Sequence, residues 1–162
     1  GDIMCPYPLR FNGDRNYAAP ECFYPTFSAT KESLYQVDNY MLGGLVTFYI
    51  TGVTFNLLMH NYLPDDYRFL QVGQDEVYSN VLPDMINAYQ NALKEFEAEV
   101  PVDEVKHGLV SLVSYLCNPD PTRRGHPKNV AETSRTPNYD LQRTIQELDV
   151  LQKKAELTLM KK

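Results

Sequence analysis

The side chains of this 162-residue chain that could do chemistry are few and scattered. His60, His107 and His126 lie far apart and in different predicted elements, so each reads as a surface or packing histidine rather than a metal ligand or general base. Cys5, Cys22 and Cys117 are odd in number, widely spaced and without a CxxC partner. That pattern fits reduced thiols in a reducing, cytoplasmic compartment and not a disulfide frame or a zinc site. No GxGxxG, GxxxxGKS, HExxH or GxSxG stretch is present. The remaining candidates fall in three stretches: residues 13–21 (Gly-Asp-Arg-Asn-Tyr-Ala-Ala-Pro-Glu), residues 38–43 running on to 48–52, and residues 116–124 (Leu-Cys-Asn-Pro-Asp-Pro-Thr-Arg-Arg). Taken singly they are ordinary. Glu21 and Arg124 read as solvated charges, Asp38 as a helix cap, Tyr17 and Pro20 as a turn with its aromatic cover, and Asp2 as an acid near a terminus.

The element that must position these groups is the stretch 40–50, which holds apolar residues, two glycines and one threonine, with no charge. It is too long for a strand, and a helix with apolar groups on every side belongs at the centre of a helical domain, so a buried helix is expected over 36–51. Gly43 and Gly44 weaken that helix and therefore point to close approach by another backbone. A membrane span is the competing reading, because residues 39–59 carry no charge. Asn39, Thr47, Thr51, Thr54 and Asn56, three glycines and the acidic flanks Asp38, Asp65 and Asp66 argue against it.

Around this helix the chain reads as helices joined by loops. Residues 1–30, broken by Pro6, Pro8, Pro20 and Pro25, are expected to be loop with short helical turns and no part of the core. A two-turn piece follows over 54–62, then an exposed connection over 67–76. The helical remainder covers 77–158. Met85, Tyr89, Ala92, Leu93 and Phe96 share one helix face, and Val105, Leu109, Leu112, Val113 and Leu116 another. A polar, turn-rich segment spans 119–137, and Asp140 is placed to cap a last helix with Leu141, Ile145, Leu148, Leu151 and Ala155 on one side. The fold class is mainly α, in one domain over 1–162. A net charge of -6 and the lack of any basic cluster disfavour nucleic acid or an anionic membrane as the main partner.

Taken together and in this order, the three stretches resemble the carboxyl-terminal lobe of a eukaryotic-like, bacterial-type Ser/Thr protein kinase, and the resemblance runs from about Gly13 to Leu157. The first is similar to the end of an activation segment with its Ala-Pro-Glu, so that 1–30 would be the activation-segment-like loop. The second resembles helix F, with Asp38 and then Gly43 five residues later, and the third resembles the Asp-Pro-x-x-Arg that follows helix H. The tail, Arg124-Gly-His-Pro and residues 139–157, resembles a bacterial group of kinase-like proteins. The implied fold is helices F to I around a buried central helix. Glu21 and Arg124 would form a buried bidentate ion pair. Asp38 would accept hydrogen bonds from a catalytic loop, and Tyr17 and Pro20 would shape the pocket for the substrate residue beside the phosphoacceptor.

The departures matter equally. A Gly-rich phosphate loop, a strand lysine and a His-Arg-Asp loop are absent from these 162 residues. Gly1-Asp2-Ile3-Met4 stands about where a kinase has Asp-Phe-Gly, which would make Asp2 a magnesium ligand although Ile-Met departs from the motif. Asp14 stands where Ser/Thr kinases have Thr. The implied activity is transfer of the ATP γ-phosphoryl group to a protein hydroxyl by an intact parent chain that also has a small lobe and uses ATP and magnesium, with no such activity or cofactor for this stretch alone. The reading of a different class is a pseudokinase or adaptor lobe that binds a protein partner without chemistry.

Overall fold

The first long helix, α1 (Lys31–Thr51), starts five residues before the expected position, and the reason is local. Thr30 Oγ1 accepts the N–H of Ser33 (3.1 Å) while Ser33 Oγ accepts the N–H of Thr30 (2.8 Å), a capping box that satisfies two of the donors left over at a helix start. Asp38 therefore lies inside α1 and is not its cap. At the other end Gly52, at φ 77°, takes the left-handed conformation that a Cβ disfavours and donates its N–H to Phe48 O (2.8 Å).

The computed structural model describes residues 14–65, 77–133 and 140–161, and every regular element within them is a helix. Thr54 caps the short α2 (Phe55–His60), whose Phe55, Leu58 and Met59 are buried. The next helix, α3 (Tyr78–Glu99), includes Pro83 and turns Met85, Tyr89, Ala92 and Phe96 inward. It is followed by α4 (Asp103–Leu116), which buries the whole predicted stripe from Val105 to Leu116. The segment read as loop after α4 holds a 3-10 turn (Pro121–Arg123) and a short helix, α5 (Pro127–Thr133), which Pro127 can open because its missing N–H is not needed there. The last helix is α6 (Gln142–Leu159), and Asp140 Oδ1 accepts the N–H of Gln142 (2.8 Å) at its start.

Three expectations are corrected by the packing. α1 is not enclosed on every side: Val37, Tyr40, Gly43, Gly44 and Thr47 are buried, whereas Tyr49 is 78% exposed and Leu45 and Phe48 also reach solvent. The helix packs against α2, α3 and α4, and those neighbours leave its far side uncovered. The segment before it does enter the core, through Ala18, Ala19, Cys22, Tyr24 and Phe27, because these apolar side chains fold inward between the proline-stiffened turns. On α6, Leu148, Leu151 and Ala155 face the core while Ile145, next to the buried Thr144, points to solvent at the edge of that face. The expected connection over 67–76 lies outside the described residues, as do Asp2 and Cys5. No helix among the described residues is long and apolar enough to cross a membrane.

Candidate functional site

Arg124 is fully buried, and each N–H of its guanidinium has an acceptor. Nε donates to Asn118 O (2.8 Å), Nη1 to Glu21 Oε1 (2.5 Å) and Gln36 O (3.3 Å), and Nη2 to Glu21 Oε2 (3.0 Å) and Pro119 O (3.4 Å). The bond to Glu21 is bidentate, the planar fork meeting the planar carboxylate. The guanidinium carbon also stands 4.9 Å from the centre of the Tyr40 ring, within cation–π range. One side chain thus ties together the 3-10 turn Pro20–Phe23, the first half of α1 and the Asn118–Pro119 segment after α4. Burial by itself would pull the guanidinium down, but the charge and hydrogen bonds of Glu21 outweigh it and hold Arg124 above its ordinary range.

Sequence reasoning picked out neither Tyr40 nor Asn56, yet both belong to this framework. Tyr40 Oη donates to Asn56 Oδ1 (2.6 Å), and Asn56 Nδ2 donates to Ala18 O (2.9 Å), so α1, α2 and the loop before them are bonded in series. The signal was present as a lone amide inside an apolar run, where a buried polar group needs a partner. Tyr17 leans on the same helix: its ring meets Phe48 edge-on at 6.5 Å, and its Cδ1 would lie 3.3 Å from a β-carbon at Gly44. Pro20 is buried at the start of its 3-10 turn. Tyr17 and Phe48 then line a groove of about 510 Å³ with Arg15, Val53, Leu57 and His60.

Asp38 stands apart from this cluster. It is exposed on α1, and no hydrogen bond or ion pair to it is found among the described residues. The structure therefore joins Glu21 with Arg124, sets Tyr17 against α1 and Pro20 at the start of its 3-10 turn, and leaves Asp38 facing outward. Cys22 and Cys117 are buried and reduced, and burial pushes both thiols up, for Cys22 with the help of Glu21, which makes them poor nucleophiles. His126 packs its ring against Tyr115 at 5.6 Å, a packing role. No group of three His, Cys, Asp or Glu among the described residues could hold a metal ion. Asp2, the expected magnesium ligand, lies outside the described residues.

No protein-family model, curated protein or solved structure matches this chain.

Proposed function

We propose that this chain is the large lobe of a kinase-like protein whose intact form transfers the ATP γ-phosphoryl group to a Ser or Thr hydroxyl of a protein substrate. The observation that carries the reading is the caged ion pair of Arg124 with Glu21, buried against Tyr40 of α1. An arginine brought in from beyond α4 holds the glutamate of an Ala-Pro-Glu turn, and the bidentate geometry with three further carbonyl acceptors offsets the cost of burying both charges. Here the pair fixes the 3-10 turn that opens with Pro20, three residues after Tyr17, the two residues that the resemblance assigns to the substrate pocket. The exposed carboxylate of Asp38 is in keeping with a group whose partner would be a catalytic loop supplied by the parent chain. In this reading the lobe binds and orients the protein substrate, and the phosphate-gripping parts, ATP and magnesium belong to the rest of the parent.

The test is phosphoryl transfer from γ-labelled ATP to generic substrate proteins by the intact parent protein, with and without Asp38→Ala. Transfer that falls sharply in the Asp38 variant at unchanged thermal stability is the expected result. An intact, folded parent that transfers no phosphate yet retains a protein partner would replace the catalytic reading with the adaptor one.

A further inference from the structure

The His126 ring that packs on Tyr115 also meets a partner at each of its nitrogens. Pro127 opens α5, and His126 holds the capping position before it. Its carbonyl accepts the N–H of Asn129 (2.8 Å) and of Val130 (3.1 Å), and its Nδ1 accepts the N–H of Lys128 (3.2 Å). A nitrogen that accepts carries no proton, so the proton of the neutral ring is on Nε2. Nε2 faces Glu147 of α6, 4.0 Å from Oε2, the oxygen that also accepts from Tyr115 Oη (2.8 Å). The titratable groups set against the ring are thus Tyr115 on α4 and Glu147 on α6. Of the nearby cations, Arg143, one turn earlier on α6, donates to Asn129 Oδ1 (2.7 Å), and Lys128 is exposed.

We propose that His126 is a pH-dependent latch on α5: as it takes up a proton it gives up the N–H of Lys128 and moves toward Glu147, and the first turn of α5 loosens. The imidazolium has a donor at both nitrogens, so no rotation of the ring restores an acceptor for Lys128. The Glu147 carboxylate favours the cation while the cap favours the neutral ring, and the two opposed effects keep the change near the ordinary histidine value of about 6.5. The cap is present above that midpoint and is lost as pH falls through it. The far side of α5 stays anchored, because Asn129 Nδ2 donates to Asp140 O (2.7 Å) and that bond does not titrate. The loosened turn borders a groove of about 470 Å³ that Asn129 and Val130 line together with Ser33 and Gln36 of α1, so acid changes one wall of that groove. This latch stands apart from the phosphoryl-transfer reading and makes no use of it.

The experiment is NMR of the full chain between about pH 5 and 8, following the His126 ring and the amides of Lys128, Asn129 and Val130. The three amides are expected to shift with the midpoint of the ring. Their exchange with solvent, corrected for its intrinsic pH dependence, should be about fivefold faster below that midpoint, the scale of one helix cap, while Leu112 in α4 stays unchanged. His126→Asn keeps an acceptor at the cap that does not titrate, so it should abolish both changes. Glu147→Gln keeps an acceptor for Tyr115 without the charge and should lower the midpoint of the ring. Amides that stay still while the ring titrates overturn the proposal, as does a pH response that survives His126→Asn or a midpoint that Glu147→Gln leaves unchanged or raises. If His126→Asn fails to fold, the unaltered chain and Glu147→Gln decide.

Discussion

Gly43 of α1 lies so close to the end of α4 that a β-carbon there would stand 2.8 Å from Leu116 Cβ and closer still to Cys117 Sγ. The helices meet where one has no side chain. Neither obstacle can swing away, because Leu116 Cβ is fixed to the backbone and Cys117 is fully buried. Gly43→Ala gains roughly 1 kcal/mol of helix propensity but must force the helices apart, which outweighs it and leaves a net loss of about 1–3 kcal/mol. Gly108 of α4 is the control. A β-carbon there is crowded only by Cδ2 at the far end of Leu151, with Cγ and the other methyl at an ordinary 3.5 Å, so Gly108→Ala should cost clearly less than Gly43→Ala. Urea unfolding of both variants checks the contrast, and equal effects at the two positions would contradict it.

The Glu21–Arg124 pair gives a second prediction. Either Glu21→Ala or Arg124→Ala leaves a charge stranded in the core and should cost about 3–5 kcal/mol. The double variant should cost clearly less than the sum, since it removes both charges together. Small, additive losses in a double-mutant cycle of unfolding would mean that the pair is not a coupled unit.

The parts of this fold that follow from periodicity were legible in the chain. The inward faces of α3 and α4 repeat at helical spacing, and the Gly43 contact followed from a glycine placed where a helix gains nothing by it. What periodicity could not supply was sidedness for α1, whose residues are apolar all round, so that the solvent-facing Tyr49 looked as fit for the core as Tyr40. The start of α1 was misplaced because Thr30 and Ser33 cap it by hydroxyl hydrogen bonds that leave no hydrophobic trace. At the candidate site, Glu21 and Arg124 are 103 residues apart, and only resemblance suggested putting them together. Tyr40 and Asn56 were missed because their roles depend on which loop crosses which helix.

Alkali should destabilise this protein while the Arg124 guanidinium, held above its ordinary range by Glu21, still keeps its proton. Burial is the first cause that raises Tyr40, Tyr78, Cys22 and Cys117 above their ordinary values, and it pushes Tyr89 up to about 12. Groups with raised values hold their protons longer in the folded than in the unfolded chain, so the folded chain binds more protons in that window. Their contribution is complete below the unfolded values, about 9 for the thiols and 10 for the phenols, and is lost as pH rises toward the folded ones. Stability should be level to about pH 8 and fall from about pH 9 upward, by up to about 1.4 kcal/mol per pH unit for each differing proton. Denaturant midpoints from pH 7 to 11 test this, with Tyr89→Phe expected to reduce the slope. A midpoint that holds or rises through that range would contradict it.

Asn56 should matter more than its place on a six-residue helix suggests, because it is the only link in the bonded series from Tyr40 to Ala18 among the described residues. Asn56→Ala leaves the buried Tyr40 hydroxyl with only the weak sulfur contact to Met59 (3.5 Å) and removes the donor to Ala18 O. At about 1–3 kcal/mol for a buried polar group left unsatisfied, the total loss should be about 2–4 kcal/mol. Tyr40→Phe removes the other end of the same bond, so the two changes combined should cost less than their sum. The loss should also have a location. Among the described residues the N–H groups of Tyr17 and Ala18 bond only within their own turn, to Asp14 O (3.1 Å) and Arg15 O (3.2 Å), and that turn is held to α2 by Asn56. Hydrogen exchange in Asn56→Ala should therefore speed up at Tyr17 and Ala18 well before it changes at Leu112 or Phe96, which lie in the helical core. Equal acceleration across the turn and the core would show that Asn56 supports the whole domain and does not specifically hold the segment that carries the candidate site.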